Sequence, residues 1–537
     1  MTTIEITLAL LLAVAVVAAI GRWVALPLPI LLVAGGAALT LVPALRSLHI
    51  EPEMFFLLFI PPLLFSDGWL MPRRDFVAVM RPVLLLAFGL VLLTVVAVGY
   101  LVHWLVPSLP LAAAFALGAV VSPTDAVAVA AVTATLRLPA RVTHIVNGES
   151  LINDASGLVA FKLAVAAVAT GAFSWTDAAW DFALMAGGGL ALGFAIAWAI
   201  GEVRVRLVRY CVRDPHVQTT ISLLTPYAAY LAAESLHVSG ILAVVAAGLY
   251  AGQHDTRHLD PPTRQHAWEV WSMVLFAFNG LVFLLLGLQL PGVFAGLAGA
   301  SWLELGGLAL ALVATLVVVR LAWVYPAAYL PHLLFPKIRA REGPRDAREV
   351  FLVGWAGIRG SVTLAAALSI PFVTSTGAPF PGRHLVIFLA ATTIVLTLLG
   401  NGLTLPYLIR VLGVRGDGGA EREERAARLA VAQAAADALR REVPKLMRAE
   451  DAAYAQRLIT DYEQRIHLHT ANAERREQLG ATHATARKLR RAALDAERAE
   501  LFALRDAEVI NEQTLRIVQA ELDHAESLVS DAPRQEH

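Results

Sequence analysis

The sequence predicts an all-α membrane protein of about thirteen transmembrane helices, followed by a helical segment that lies in water. Three observations predict this class: an apolar composition, a succession of long apolar runs, and a change of composition near residue 412. Of the 537 residues, 57% are hydrophobic and only 16% are charged, whereas soluble proteins average about 25% charged. Lipid is therefore the expected solvent for most of the chain.

The two parts of the chain differ sharply in charge. Residues 1–412 are apolar and poor in charge, and we expect them to form a transmembrane domain. Residues 413–537 are rich in Arg, Glu, Asp and Ala, which predicts a helical, coiled-coil-like domain in the cytoplasm. The formal net charge is zero, so nothing in the composition indicates a nucleic acid as partner.

Each predicted span is a run of about 20 mostly apolar residues, the length of a helix that crosses a bilayer. The stretch 217–252 fits either one long helix or two short ones. The apolar run after Glu5 lacks the basic start of a secretory signal, so we interpret it as the first membrane helix. The predicted spans are 4–22, 27–45, 54–71, 82–106, 111–133, 149–171, 179–203, 217–235, 238–252, 269–290, 302–330, 350–373 and 384–411.

Positive charge alternates along the loops between these spans. Cytoplasmic loops of membrane proteins carry an excess of Lys and Arg. The loops after even-numbered spans carry only Arg46 and Arg383, which predicts that the N-terminus lies outside the cell and the C-terminal domain inside. The basic residues after odd-numbered spans are Arg22, Arg73, Arg74, Arg81, Arg137, Arg141, Arg204, Arg206, Arg209, Arg213, Arg257, Arg264, Lys337, Arg339, Arg341, Arg345 and Arg348.

The fifth predicted span contains residues 122–125 (SPTD) at its middle. Pro123 lacks a backbone N–H and disfavours helix at the residue before it, so the helix is expected to open here. Open backbone at membrane depth is tolerated where it lines a cavity. A charge at this depth costs about 2.5–3.5 kcal/mol on insertion scales, which favours a functional role for Asp125. The alternative is a proline kink with a hydrogen-bonded Asp.

The sixth predicted span opens with residues 148–154 (GESLIND). Ser150 and Asp154 are four residues apart and share one face of a helix. Oxygen atoms from Ser150, Asn153 and Asp154 are ligands of the kind that a hard cation such as Na⁺ selects. The alternative is a helix N-terminus whose acids complement the dipole, which accounts for Glu149 but not for Asp154 further inside.

Two arginines and one further acid lie inside predicted spans. Arg320 lies in the eleventh span, and Arg359 lies among three glycines in the twelfth, which predicts a second weakened helix. A buried Arg keeps its proton and needs a carboxylate or water, and Glu149 is the expected partner of Arg359; the alternative is that either Arg reaches an interface. For Asp67, a place in the site and an ordinary interfacial position both stay open.

These segments together resemble the bacterial sodium–proton antiporters of the first monovalent cation–proton antiporter family, the relatives of animal sodium–proton exchangers. The matching segments are residues 122–125, 148–154 and 357–360 (GIRG) and the prolines at 61–62, in the family's order. The resemblance covers residues 1–412. One departure concerns the third helix, where family members often place an acid at the position of Ser66; Asp67 lies one position later, about 100° further around a helix.

The resemblance implies an inverted-repeat antiporter fold in which two partly unwound helices cross near the membrane midplane, assembled as a homodimer. It implies that Asp154 is the main carboxylate for the cation and the proton, and that Asp125 joins it in binding Na⁺. Thr124, Ser150 and Asn153 are implied to complete the site. No cofactor is expected beyond the transported Na⁺ and H⁺.

The same resemblance implies a structural ion pair that involves Glu149 and Arg359, with Arg320 as a further member. Relatives with Asn before the main Asp, as at Asn153-Asp154, are usually electroneutral, so one cation per proton is expected. The implied role is pH and sodium homeostasis at the bacterial inner membrane. A proton and a cation would compete for one acidic site, and an empty anionic site is costly to carry through lipid.

Three other functions compete with this one. A K⁺/H⁺ antiporter of the same family is the alternative, because the ligand distances that select cation size are not written in a sequence. An intramembrane enzyme is disfavoured, since residues 1–412 contain no Gly-x-Gly-Asp and His103 and His144 lie at span ends. A channel is compatible with broken helices, but buried titratable acids suit coupled exchange better.

The C-terminal segment shows apolar residues at helical spacing, and Pro444 is expected to separate its first helix from the next. A solvated helical appendage and a regulatory role in pH sensing or dimer stabilisation are both compatible with the pattern. The spaced apolar residues are Leu429, Ala432 and Ala436, then Leu501, Leu504 and Val509.

Overall fold

The computed structural model shows a helical protein that divides into two compact units, Met1–Gly416 and Asp417–His537. Arg46, Arg137 and Arg213, which entered the prediction of orientation, lie outside the described residues. The assignment of a transmembrane domain to 1–412 and a cytoplasmic domain to 413–537 stays a prediction. The structure describes residues 3–24, 27–42, 51–133, 136, 138–170, 175–210, 214–297, 299, 301–342, 345–374, 377–414, 419–446, 448–470, 473–507 and 509–530.

The first unit is a bundle of helices joined by short connections. An isolated antiparallel bridge joins Val373 to Pro379. The helices are α1 Thr3–Gly21, α2 Leu28–Leu39, α3 Pro52–Leu70, α4 Arg73–Leu105, α5 Leu111–Val121, α6 Ala126–Thr133, α7 Ala140–Thr170, α8 Trp175–Arg209, α9 Pro215–Ser235, α10 Gly240–His258, α11 Pro261–Gly296, α12 Trp302–Leu334, α13 Pro336–Glu342, α14 Ala347–Trp355, α15 Ser361–Leu368 and α16 Arg383–Val411.

Several of these helices have the length and composition of membrane spans. Large apolar side chains such as Trp104 and Leu303 are exposed on the outside of the unit, as expected for a surface in contact with lipid. The count of thirteen spans and the inverted repeat stay predictions. Within the described residues, the helices long and apolar enough to cross a membrane are Arg73–Leu105, Ala140–Val168, Ala183–Arg209, Pro261–Gly296, Trp302–Leu334 and Arg383–Val411.

The structure differs from the prediction at the start of α7, and it decides between one helix and two for residues 217–252. Helix α7 begins at Ala140, so Glu149 lies inside the helix and is not part of its N-terminus. The stretch 217–252 forms two helices, since His237 adopts a left-handed conformation with φ 56° after α9 ends. The hydroxyl of Ser239 then accepts the Leu242 amide N–H at 3.2 Å and starts α10.

A π-helical turn, Leu85–Leu90, interrupts α4 and ties it to the helices that carry the polar motifs. The Ser156 hydroxyl of α7 donates to the Ala87 carbonyl at 2.5 Å. The Trp323 indole of α12 donates to the Leu85 carbonyl at 2.9 Å. These two bonds satisfy carbonyl groups that the irregular turn would leave unpaired in lipid.

The helices of the first unit pack as two bundles. The crossing bundle comprises α4, α5, α6, α7, α12, α14, α15 and α16. The wall bundle comprises α1, α2, α3, α8, α9, α10 and α11. The two bundles meet where α3, α10 and α11 of the wall face α7, α15 and α16 of the crossing bundle. This boundary encloses the polar residues that the sequence places inside the spans.

The second unit consists of paired helices: α17 Gly419–Glu442, α18 Ala449–Thr470, α19 Ala473–Asp506 and α20 Glu512–Ser530. Pro444 lies in a short 3₁₀ turn between α17 and α18, as its residue type predicts. Helix α17 packs on α18 and α19 packs on α20. Of the predicted apolar positions, Ala432, Ala436 and Leu501 are buried, whereas Val509 is exposed.

Candidate functional site

The first helix break lies between α5, which ends at Val121, and α6, which begins at Ala126. Pro123 and the two residues after it are not helical, because the proline has no N–H to donate and restricts the residue before it. The Ser122 hydroxyl donates to the Ala119 carbonyl at 2.9 Å and helps to close the end of α5. The break frees the backbone of Thr124 and Asp125 from helical hydrogen bonding.

The second break lies between α14, which ends at Trp355, and α15, which begins at Ser361. It occurs among the glycines that the sequence places around Arg359. A Cβ atom at Gly360 would lie 1.6 Å from Oδ2 of Asp125. Only glycine therefore lets the carboxylate of the first break lie against the backbone of the second.

The two breaks contact each other directly. The amide N–H of Asp125 donates to the carbonyl of Ile358 at 2.8 Å. In the reverse direction, Nε of Arg359 donates to the carbonyl of Val121 at 2.8 Å. The Arg359 Nη1 also donates to the Gly357 carbonyl at 2.6 Å. Backbone groups freed by one break are thus satisfied by the other, as membrane depth requires.

Charged side chains compensate the four helix ends at this crossing. The Asp125 carboxylate accepts the Ala128 N–H at 3.0 Å and also faces the N–H of Ser361, at the N-termini of α6 and α15. Arg359 bonds the C-terminal carbonyl of α5, and Arg320 bonds the carbonyls of Val353 and Gly354 in α14. Anions favour helix N-termini and cations favour C-termini, so each charge lies where the helix dipole stabilises it.

Helix α7 is attached to the first break by a short series of hydrogen bonds. The Ser150 hydroxyl donates to the Thr124 carbonyl at 2.8 Å and accepts the Ala126 N–H at 3.2 Å. The Asn153 amide donates to the Thr124 hydroxyl at 2.8 Å, and that hydroxyl donates to Glu149 Oε1 at 3.3 Å. Ser150, Asn153 and Thr124 therefore fix the geometry between α7 and the break.

The expected ion pair between Glu149 and Arg359 is corrected by the structure. Glu149, 1% exposed, forms a bidentate pair with the guanidinium of Arg320, 3% exposed, with Nη2 to Oε2 at 2.8 Å. Arg359 instead turns toward the carbonyls of Val121 and Gly357. Sequence spacing could not distinguish two arginines on different helices, because only the packing of α12 against α14 decides which guanidinium reaches Glu149.

The crossing opens into a cavity of about 570 Å³ at the boundary of the two bundles. Asp125 and Asp154 line it from the crossing bundle, and Asp67 lines it from α3 of the wall bundle. Asp154 interacts electrostatically with both of the other carboxylates. The described residues form no hydrogen bond to the Asp154 carboxylate, which is 4% exposed. Asp154 is therefore free to take a proton or a cation.

The structure also decides which neighbours reach the cavity. Asp67 does so although it lies one position after the family's usual place, where the Ser66 hydroxyl instead donates to the Leu63 carbonyl at 2.7 Å. Asn153 lies behind the cavity surface, and its buried Oδ1 has no hydrogen-bond partner among the described residues. Asn279 of α11 also lines the cavity, although the sequence analysis assigned it no role. A single polar residue within an apolar span is the signal that could have identified it.

The prediction that Asp154 and Asp125 bind Na⁺ stays a prediction. Within the described residues, no three His, Cys, Asp or Glu side chains are grouped so that they could hold a metal ion.

Broken, crossing helices with an unpaired buried carboxylate between two bundles define a secondary transporter. Residues 8–411 match the family model described as "Sodium/hydrogen exchanger, transmembrane". The chain belongs to the sodium/hydrogen exchanger family, whose members exchange monovalent cations for protons across membranes.

Sequence similarity over most of this chain extends to named bacterial proteins. The Na(+)/H(+) exchanger YjcE of Escherichia coli is 38% identical over 521 residues, which cover 94% of each chain. A sodium, potassium, lithium and rubidium/H(+) antiporter of Bacillus pumilus is 42% identical over 420 residues, which cover 75% of this chain and 61% of that protein.

The fold is similar to a solved antiporter structure. The sodium proton antiporter MjNhaP1 from Methanocaldococcus jannaschii superimposes with a TM-score of 0.56 over 75% of this chain and 97% of that chain. Sequence identity in this comparison is 19%, so the likeness concerns the fold alone. It supports the all-helical antiporter architecture that the sequence motifs predict.

Proposed function

We propose that this protein exchanges Na⁺ for H⁺ at Asp154, with one cation moved for each proton. The observation that carries the proposal is the cavity at the bundle boundary, where Asp154 lies unpaired beside the crossing of the two breaks. Asp125 is already engaged by backbone N–H groups, so it supplies fixed negative charge near the ion. Asp154 is the group that binds Na⁺ and H⁺ in turn.

The coupling follows from the cost of an unpaired charge in a buried site. A carboxylate that faces little water is stabilised either by a proton or by a bound cation. Both occupants neutralise Asp154, and they compete for the same oxygens. The loaded site can then move across the membrane, whereas the empty anionic site is hindered. Exchange is therefore obligatory without any covalent step.

Alternating access is a movement of the crossing bundle against the wall bundle. The site lies on the boundary between them, where Asp125 and Asp154 belong to one bundle and Asp67 to the other. Inverted-repeat transporters expose a central site to each side by rocking one part against another. The hydrogen bonds of Ser150 and Asn153 keep α7 and the break together during such a movement.

Na⁺ is the proposed main substrate, and K⁺ is the second candidate. Two Bacillus relatives, 42% and 40% identical to this chain, carry names that include sodium, potassium, lithium and rubidium, which favours a site tolerant of cation size. Asn153 precedes Asp154, as in the relatives that are usually electroneutral, and this resemblance supports electroneutral exchange. Current measurements on supported membranes would show no net charge movement for electroneutral exchange and a salt-driven current for the electrogenic alternative.

The proposed location is the bacterial inner membrane, with the N-terminus outside and the C-terminal domain in the cytoplasm. The alternation of Arg and Lys between loops supports this orientation. Residues 413–537 are proposed to be a cytoplasmic, coiled-coil-like domain that contributes to pH regulation. We also propose a homodimer that serves sodium and pH homeostasis.

The test of the proposed function is the variant Asp154→Asn. In everted vesicles that carry a pH-sensitive dye, Na⁺ added to the parent protein should dissipate the proton gradient. Asp154→Asn should abolish this response while the protein stays in the membrane at the parent level. Exchange at the parent rate in this variant would refute the assignment of Asp154.

A further inference from the structure

Lys162 of α7 crosses the boundary between the two bundles. Its Nζ lies 2.5 Å from Oε1 of Glu234 on α9. The same Nζ lies 5.7 Å from the centre of the Phe56 ring and 5.4 Å from the centre of the Tyr230 ring. Phe56 belongs to α3 and Tyr230 to α9, so one lysine of the crossing bundle is held in an anionic, aromatic cage of the wall bundle.

The cage is built by the wall bundle's own packing. Phe56 and Tyr230 are buried, and Glu234 also accepts the N–H of Gly240 at 3.3 Å. A Cβ at Gly240 would lie 2.9 Å from Glu234 Oε1 and 2.7 Å from the Tyr230 ring, so glycine permits this close approach. The cage is thus a preformed binding place for a cation, and the ammonium group of Lys162 from the crossing bundle occupies it.

The cage lies on the side of Asp154 away from the cavity opening. The cavity is lined by Leu70 and Met71 at the end of α3, and by Asn147 and Asp154 along α7. Lys162 lies about 12 Å further along α7 than Asp154, by the helical rise. Leu158 between them is 1% exposed and, like Lys162, does not line the cavity, so the cavity does not extend along α7 as far as Lys162. The distribution of loop Arg and Lys assigns the open end to the cytoplasm.

We propose that Lys162 and Glu234 form a latch that closes the outer end of the bundle boundary and favours the conformation whose site faces the cytoplasm. The proposal rests on the proposed function, in which the bundles move against each other. Helix α7 packs on the wall bundle mainly through α10 and α3 and has little other contact with α9, so the Lys162–Glu234 pair is a direct connection between α7 and α9. Movement of the crossing bundle toward the outward-facing state withdraws Lys162 from its cage.

The strength of the latch determines how far its removal shifts the equilibrium between the inward-facing and outward-facing conformations. An ion pair together with cation–π contacts of ordinary strength corresponds to roughly a five- to thirty-fold change in an equilibrium constant. Side-chain exposures of 27% for Lys162 and 38% for Glu234 place the effect toward the lower end of that range. The latch therefore biases the equilibrium between the two states without blocking exchange.

The experiment measures outer accessibility in the full chain. Cys211, the single cysteine, is changed to Ser and Leu158→Cys is introduced as the reporter. Intact cells are labelled with a membrane-impermeant maleimide, and the labelling rate is compared between the parent, Lys162→Met and Glu234→Gln. Arg206→Met is the matched control, since Arg206 pairs with Glu202 at 3.4 Å within α8 and joins no two helices.

We expect several-fold faster labelling in Lys162→Met and Glu234→Gln, with parent-like labelling in Arg206→Met and in the exchanged pair Lys162→Glu with Glu234→Lys. Unchanged labelling in both single variants, at parent levels of membrane protein, would overturn the latch. Dye assays on everted vesicles prepared from the same cells test the proposed function separately. Absent exchange in the parent contradicts exchange at Asp154, while the labelling rates still decide the latch.

Discussion

The carboxylate of Glu149 and the guanidinium of Arg320 form a bidentate pair that is almost fully buried between α7 and α12. Arg320 also bonds the carbonyls at the end of α14, and Glu149 accepts from the Thr124 hydroxyl. The pair therefore connects one broken helix to the other from behind the cavity. It stabilises the geometry of the site without lining it.

Glu149→Gln and Arg320→Met should each destabilise the protein strongly. Removing one member of a buried pair leaves an uncompensated charge or unpaired donors, which costs about 3–5 kcal/mol. Thermal unfolding in detergent, followed by size-exclusion chromatography, measures the loss. Arg206→Met, which breaks an exposed pair within α8, is the control and should leave the unfolding temperature unchanged. Equal unfolding temperatures for all three variants would contradict a structural role for the buried pair.

Gly360→Ala should abolish exchange. The new methyl group would overlap Oδ2 of Asp125, so the carboxylate must leave the N-termini of α6 and α15. Gly187→Ala in α8 is the matched control, because a Cβ at Gly187 meets nothing within 4 Å. Dye quenching in everted vesicles measures both variants at equal protein levels. Parent-like exchange by Gly360→Ala would show that Asp125 need not lie against the second break.

Asp67→Asn should weaken cation binding while exchange persists. Asp67 lines the cavity opposite Asp154 and adds negative charge along the path of the ion, but it does not lie at the crossing. We expect a several-fold increase in the apparent KM for Na⁺ with a similar maximal rate. Ser66→Ala is the control, since the Ser66 hydroxyl donates to the backbone of its own helix, at the Leu63 carbonyl. An unchanged KM in Asp67→Asn would remove Asp67 from the site.

Lowering the pH should raise the apparent KM for Na⁺. A proton and the cation compete for Asp154, so under proton-saturated conditions each unit of pH changes the apparent KM by up to about tenfold. The maximal rate should recover at high salt concentration if the competition is direct. Dye assays over a matrix of pH and salt measure both quantities. A KM independent of pH would contradict a shared site.

The sequence predicted the helix breaks because both rest on local chemistry. Pro123 cannot continue a helix, and the glycines around Arg359 weaken one wherever they lie. The sequence could not select the partner of Glu149, since Arg320 and Arg359 are equally able to pair with a carboxylate. The same limit applied to Asp67, whose direction depends on how α3 packs, and to Lys162, whose partner lies on a helix distant in sequence.

The sequence by itself determined that the chain is helical and contains several apolar membrane-spanning segments, where its helices break, and which residues carry charge within the predicted spans. These properties follow from side-chain polarity and backbone chemistry, which act over a few residues. Only the tertiary structure decided that Arg320 holds Glu149, that Arg359 caps α5, and that Asp67 reaches the cavity. Such contacts depend on the packing of helices far apart along the chain, because an ion pair forms only where packing brings its two charges within a few ångströms.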